Sequence, residues 1–158
     1  MISQSTLTEY LGKSMSQICP NGYANPDDNH CAHFVSHVMG FRFGYTCGQM
    51  KTGPGPSVNI RVHEVFRECP AVDAWSQKPV VLVFCLVFIT HSSNVDLKNR
   101  TMTNVPRKHV GIYFNGSIWH YSNLKHSVVF QTPEQFSNHY PAPNNSMFYG
   151  RAPLVASL

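Results

Sequence analysis

The chain has little charge and no long apolar segment. Only 13% of its 158 residues are charged, and the longest apolar run, VVLVFCLVFI at 80–89, is too short to span a bilayer. Twelve basic and eight acidic residues give a net charge of +4, without the clustered lysines and arginines typical of nucleic-acid binding. We therefore expect neither a membrane nor a nucleic acid as a partner.

Features of a targeting segment are also missing from the beginning of the sequence. MISQSTLTEYLGKSMSQICP has neither a basic start nor an apolar stretch of the kind found in signal peptides. We expect synthesis in the cytoplasm without a cleaved signal peptide. The protein would then stay there or leave by a route that needs no cleaved signal.

None of the five cysteines forms a CxxC pair, so the sequence does not predict a cysteine-rich zinc site. If Cys31 is free, Cys19, Cys47, Cys69 and Cys85 could form two disulfides or remain as buried thiols. The sequence assigns no bridges. Cys85 lies in the middle of a predicted strand and is expected in the core.

Length and composition predict one domain over residues 1–158, and the residue patterns predict helices first and strands second. Of the residues, 42% are hydrophobic, as in globular proteins. Helical spacing and capping signals predict one helix from Thr6 to the residue before Pro20, a second from Asn29 or Cys31 to Gly40, and a third over 62–69.

The second half predicts strands at 80–89, in a hairpin over 109–123, at 127–131 and at 147–152, with a short helix that begins at Pro133. The loop between the first two strands covers 91–108. Helices followed by antiparallel strands predict an α+β domain.

The segment DNHCAHFVSHVMGF, residues 28–41, places a cysteine at the start of the second helix. With Asp28 or Asn29 as N-cap, Cys31 lies in the first turn, where free N–H groups and the helix dipole favour a thiolate. A nucleophile is one interpretation. A small buried cysteine is the other, and the segment alone favours neither.

The segment HVGIYFNGSIWHYSN predicts a hairpin with a two-residue turn at Asn115-Gly116. Phe114 then pairs with Ser117, and Gly111 lies opposite His120. His109 falls on the same face as His120, as its diagonal neighbour.

Two histidines on one face of a core hairpin are difficult to explain by packing. One of them acting as general base and the other as its orienting partner makes chemical sense. We expect His109 to be the base and His120 to orient it, with Ser122 or Asn123 as alternative orienting residues.

A metal site is the competing interpretation of the histidines near Cys31. His30, His33 and His37 line one helix face at a spacing that can bind zinc. Cys31 lies about a third of a turn from them, and no HExxH carboxylate accompanies the pair. We interpret His33 and His37 as a helix face that is partly exposed or packs at the domain edge, and we predict no metal and no cofactor.

Together, DNHCAHFVSHVMG and HVGIYFNGSIWHYSN resemble the motifs of the NlpC-type cell-wall peptidases, a papain-like superfamily, and the resemblance covers roughly residues 5–125. It implies a papain-like fold, with Cys31 as nucleophile, His109 as base and His120 as orienting residue. It further implies cleavage of amide bonds in peptidoglycan stem peptides through a thioester.

The domain size and the missing signal peptide are also similar to those of amidase effectors of type VI secretion and of phage CHAP-type lysins. This similarity implies a monomer that is exported by a dedicated system or released at the cell wall. A cognate immunity protein would then be its partner.

A second similarity leaves another activity open. CAHFV is similar to the CEHFV box of lecithin–retinol-type acyltransferases, a permuted branch in which the histidine precedes the cysteine. Here His109 follows Cys31, which favours the hydrolase order. An acyltransferase or deamidase, or a papain-like binding module without catalysis, remains an alternative. The loops 51–57 and 91–108 are the expected walls of the substrate cleft.

Overall fold

The computed structural model describes residues 2–43, 46–48, 60–140 and 143–153. Its helices are α1 (Gln4–Thr8), α2 (Met15–Ile18), α3 (Cys31–Met39), α4 (Val62–Glu68) and α5 (Pro133–Ser137). Its strands are β1 (Val72–Ala74), β2 (Phe84–His91), β3 (Val95–Asp96), β4 (Thr101–Met102), β5 (Lys108–Phe114), β6 (Ser117–Ser122), β7 (Ser127–Gln131) and β8 (Asn145–Gly150). The predicted α+β class is confirmed. No helix in these ranges has the length and apolar character needed to cross a bilayer.

Six strands form one antiparallel sheet in the order β1-β8-β2-β5-β6-β7, and β3 pairs with β4 separately. The last predicted strand is therefore present, but it lies inside the sheet. β8 pairs with β2 on one side and with β1 on the other. β1 forms the edge of the sheet, and the sequence did not predict it.

The sheet separates two apolar layers. On one face, α3 packs against β5 and β6, and the larger core includes Phe34, Val110 and Ile112. On the other face, α5 contributes Phe136 to a smaller cluster with Ile118 and neighbouring residues of β2. Because side chains alternate along a strand, consecutive residues of β5 face different layers.

The predicted single helix over 6–19 is wrong. Two short helices replace it, the first capped by the Ser3 side chain and the second by a capping box at Ser14. Between them, Gly12 adopts a left-handed conformation with φ of 79°, and its N–H donates to the carbonyl of Val128. This contact with β7 turns the chain out of the helix.

The predicted strand at 80–89 begins four residues too early. Val80 and Val81 are 94% and 88% exposed, and the chain turns after Pro79 through a hydrogen bond from the Leu82 N–H. β2 starts only at Phe84. An unbroken apolar run has no alternation that could mark where pairing begins.

Other predicted boundaries are confirmed. α3 ends at Gly40, which is left-handed with φ of 66°, and α4 ends before Pro70. α5 begins at Pro133, and β7 covers the predicted strand at 127–131. The five cysteines are buried and free, Cys85 among them in the predicted core position.

Candidate active site

The hairpin of β5 and β6 has the predicted register. Asn115 and Gly116 both have positive φ, of 48° and 97°, as a type I′ turn requires. Phe114 pairs with Ser117, and the pairing continues to Ile112 and Trp119. This register brings the two hairpin histidines to the same face of the sheet.

Gly111 provides the space in which His120 lies. A Cβ added at Gly111 would lie 2.8 Å from Ile118 Cγ2 and 3.1 Å from both His120 Cβ and the Trp119 carbonyl oxygen. Gly111 is therefore opposite His120, as predicted, and any side chain at this position would displace its neighbours.

A chain of two hydrogen bonds joins His109, His120 and Gln131. His120 Nε2 lies 2.7 Å from Gln131 Oε1, and His120 Nδ1 lies 2.8 Å from His109 Nε2. An amide oxygen can only accept, so His120 carries its proton on Nε2. In the neutral ring its Nδ1 then accepts from the N–H at His109 Nε2, and His109 Nδ1 has a free lone pair.

Both hairpin imidazoles are buried, with 1% of His109 and 2% of His120 exposed. Burial and the neighbouring His120 and His139 hold the pKa of His109 well below its ordinary value. Burial also lowers the pKa of His120, to about 4, although the hydrogen bond to Gln131 opposes the shift. At neutral pH both rings are therefore neutral.

The chain that follows α5 covers the imidazoles. The His139 ring stacks on His109 with centroids 3.9 Å apart and planes inclined by 7°, and Phe136 lies 5.5 Å from His109 on centroids. The Tyr140 ring lies 4.7 Å from that of His139 on centroids, and burial, followed by the nearby Cys31, raises the pKa of Tyr140.

Cys31 is the first residue of α3, as predicted, but the cap differs. His30 occupies the N-cap position without a capping side-chain bond. Asn29 Oδ1 accepts from the Cys31 N–H at 3.0 Å, and Asn123 Oδ1 accepts from the His30 N–H at 3.1 Å. Asn123, proposed above as an alternative orienting residue, therefore holds the start of the helix.

The prediction that the helix start favours a thiolate at Cys31 is wrong for this resting structure. The backbone N–H groups of Val110 and Ala32 lie beside the sulfur and lower its pKa, as does Lys108. Burial outweighs them and raises the pKa of Cys31 to about 11, because only 1% of the residue is exposed.

The sulfur and the imidazoles approach the same part of β5 from different layers. Cys31 packs in the core of the helix face, whereas the rings of His109 and His120 contact Phe136 on the other face. The sulfur contacts Val110, the residue after His109.

Within the described residues, no hydrogen bond joins the Cys31 sulfur to His109. The structure thus brings His109 and His120 into direct contact and places Cys31 against the neighbouring backbone. Ser122, the other alternative orienting residue, accepts instead from the Lys125 N–H through its hydroxyl.

Sequence reasoning missed Gln131 and His139. Val129 pairs with His120 across β6 and β7, so Gln131 lies two residues further along the same face. Extending the predicted register to the third strand would have found it. His139 follows a helix whose docking position no local pattern specifies.

A cleft of about 550 Å³ opens beside the hairpin histidines. His120, Gln131, His139, Asn123, Phe130 and Leu124 line it. None of its described lining residues comes from 91–108, so that part of the predicted cleft wall is not found here. The loop 51–57 lies outside the described residues.

His109, His120 and His139 each bring a ring nitrogen within 4.8 Å of the others, a spacing that metal ligands also have. However, His120 uses both of its nitrogens in hydrogen bonds of normal length. Hydrogen bonds therefore account for the contact between His109 and His120, and three imidazoles offer no thiolate to balance the charge of a cation.

Comparison of the chain with protein-family models, with curated proteins and with solved structures found no match.

Proposed function

We propose that the protein is a papain-like cysteine hydrolase of the NlpC type that cleaves amide bonds. One observation carries this proposal. The hydrogen bonds from His120 to Gln131 and from His109 to His120 leave His109 Nδ1 as a basic atom, in the residue next to the N–H that contacts the Cys31 sulfur. Nucleophilic catalysis needs a thiol within hydrogen-bond reach of an oriented base, so the proposal requires the Cys31 sulfur to move from Val110 to His109 Nδ1 when substrate binds.

In the first half of the reaction, the Cys31 sulfur attacks the amide carbonyl while its proton passes to His109 Nδ1. Because burial disfavours charge on both groups, this transfer accompanies the attack and no ion pair exists beforehand. The N–H groups of Ala32 and Val110, which lie beside the sulfur, are suited to stabilise the oxyanion. The C–N bond then breaks, and the amine leaves with the proton from His109.

The second half releases the acyl group. Water gives a proton to His109 Nδ1 and attacks the thioester carbonyl. The C–S bond breaks, and the proton returns to the sulfur. His120 acts as a positioning residue, because it holds His109 in the one tautomer that has its lone pair on Nδ1.

Peptidoglycan stem peptides are the substrate that we propose, on the basis of the resemblance of the two motifs to cell-wall peptidases. The cleft beside His120 offers polar groups next to Leu124 and Phe130, which are 89% and 57% exposed. Export to the cell wall, and an immunity protein that blocks this cleft, belong to the same proposal.

Digestion of purified sacculi tests this function directly. Wild type and Cys31→Ala are incubated with sacculi, and the released muropeptides are analysed by mass spectrometry. Cys85→Ala is the matched control, because Cys85 is also buried but lies in a strand away from the histidines. We expect new products from wild type and the control alone. Products from Cys31→Ala, or none from wild type, would contradict the proposal.

A papain-like binding module without catalysis is the second candidate, and the burial of Cys31 favours it. In that case Cys31 would be only a packing residue. Cys31→Ser would then change the stability of the protein, but no chemical product would depend on the sulfur.

A further inference from the structure

A second cluster of histidine and cysteine side chains lies along α3, from His33 near its start to His37 near its end. Cys19 follows α2, His33 and His37 are one turn apart on α3, and Cys47 lies in the segment 46–48. His33 is fully buried, Cys19 and Cys47 are 4% and 7% exposed, and His37 is half-buried. Of the two alternatives expected for His33, a partly exposed helix face or packing at the domain edge, the first is therefore wrong.

The four side chains converge closely, and three of the six separations between their ligand atoms are direct contacts. One ligand atom from each lies within 4.8 Å of the others. Cys19 Sγ and Cys47 Sγ are 3.6 Å apart, Cys47 Sγ and His37 Nε2 are 3.4 Å apart, and the Nε2 atoms of His37 and His33 are 3.1 Å apart.

These separations match those expected around a zinc ion. With ordinary Zn–S and Zn–N bond lengths, a tetrahedron has edges of about 3.8 Å between sulfurs, about 3.6 Å between sulfur and nitrogen, and about 3.3 Å between nitrogens. The three observed distances follow this order, and each is shorter by a few tenths of an ångström. Two thiolates also balance the charge of one divalent cation.

Hydrogen bonds behind His33 select the tautomer that a metal needs. His30 Nε2 lies 2.7 Å from the Asn25 carbonyl oxygen, which can only accept, so His30 carries its proton on Nε2. In the neutral ring its Nδ1 then accepts from the His33 Nδ1–H at 3.0 Å. His33 Nε2 is left with a lone pair that points into the cluster.

Partners of this kind are what orient metal-binding histidines in proteins. Cys47 also has a supporting hydrogen bond, because Asn21 Nδ2 donates to its Sγ at 3.2 Å. A cleft of about 230 Å³, lined by His37 and Cys47 among others, connects the cluster with the surface. The site therefore has ligands, supporting bonds and a route for the ion.

We propose that Cys19, His33, His37 and Cys47 bind one Zn²⁺ as a structural site. Binding displaces the protons of the two thiols, and the metal accepts lone pairs from both sulfurs and both Nε2 atoms. All four positions come from the protein, so no position is open for a substrate. The ion joins the end of α2 and the segment 46–48 to the helix that begins with Cys31.

Sequence reasoning missed this site because its cysteines form no pair. The signal that was present is H-x3-H on a helix, at His33 and His37, with Cys19 before it and Cys47 after it. Only the folded chain brings Cys19 and Cys47, which are 28 positions apart, into contact.

Metal analysis of the full-length protein tests the proposal. Purified wild type is measured by inductively coupled plasma mass spectrometry, after expression with zinc and dialysis. We expect about one zinc per chain. Cys47→Ser should lose most of it, whereas Cys85→Ala, a buried cysteine outside the cluster, should retain it. His120→Asn is the control for the other group of convergent side chains, His109, His120 and His139, and should also retain zinc.

X-ray absorption spectroscopy identifies the zinc ligands in the wild type, so it tests the proposal even if Cys47→Ser does not fold. We expect two sulfur ligands at about 2.3 Å and two nitrogen ligands at about 2.0 Å. Absence of zinc from the folded wild type, a shell without sulfur, or loss of zinc in His120→Asn but not in Cys47→Ser would overturn the proposal.

Discussion

His109 Nε2 lies 2.8 Å from His120 Nδ1, and the two rings are perpendicular. The contact arises because a two-residue turn sets the register of β5 and β6, and because Gly111 leaves the space that His120 occupies. The next hydrogen bond, from His120 Nε2 to Gln131 Oε1, determines which ring nitrogens of His120 and His109 carry protons. We call these two hydrogen bonds, which join His109, His120 and Gln131, the histidine relay, and each can be removed by a separate substitution.

Replacement of Gly111 by alanine tests the space opposite His120. The added Cβ would lie within 3.1 Å of three atoms, including His120 Cβ, so that β6 must shift. We expect Gly111→Ala to lose about 1–3 kcal/mol of unfolding free energy in urea titrations, and most of the hydrolase activity.

Gly12→Ala is the control for the loss of a glycine as such. Gly12 also has positive φ, but a Cβ there would meet no atom within 4 Å. We expect a cost of about 1–2 kcal/mol from the backbone alone, with activity retained. Equal activity of the Gly111 and Gly12 variants would contradict a role of the His109–His120 contact in catalysis.

Gln131→Leu tests how the tautomer is selected. Without the amide oxygen, His120 Nε2 loses its acceptor, and the proton can move to Nδ1. We expect kcat to fall at least ~10-fold, because the base is no longer held in one tautomer. In ¹⁵N spectra of the imidazoles, His109 and His120 should show a mixture of tautomers. Unchanged ¹⁵N shifts would exclude the positioning role of Gln131.

Acid should destabilise the protein through the buried histidines. The pKa of His120 is about 4 when folded and near 6.5 when unfolded, so the unfolded chain binds more protons between these values. Stability is therefore highest above pH 6.5 and falls as the pH decreases towards 4. The contribution of His120 is on the order of 3 kcal/mol.

The measurement is the difference in unfolding free energy between pH 7 and pH 4. His120→Asn should lose less stability on acidification than wild type, because it lacks the titrating ring. His126→Asn, which removes an exposed histidine, should behave like wild type. The same acid sensitivity in all three proteins would show that His120 is not responsible.

Local signals in the sequence predict most of the strand and helix positions. Asn115-Gly116 is sufficient to set a hairpin register, and Gly40 and Pro133 mark helix ends because of their backbone preferences. The insertion of β8 between β1 and β2 depends on long-range pairing that no local pattern encodes.

The sequence likewise predicts those parts of the candidate site that depend on local patterns. His109 and His120 follow from strand alternation, whereas the burial of Cys31 depends on how α3 packs against the whole sheet. The helix start was expected to lower the pKa of the thiol, but desolvation has the larger effect. Convergence of Cys19 and Cys47 on α3 likewise depends on the tertiary fold.

Alkylation of the native protein tests the role of Cys31 most directly. Cys31 and Cys85 are 1% and 0% exposed, so burial alone predicts equally slow reaction with iodoacetamide. The rate at each cysteine is followed by peptide mass spectrometry, in wild type and in His109→Gln, whose amide can still donate to His120 but has no basic Nδ1. If His109 activates the sulfur, Cys31 reacts at least ~10-fold faster than Cys85, and His109→Gln removes the difference. Equal rates in wild type, or a difference that persists in His109→Gln, would contradict the catalytic account.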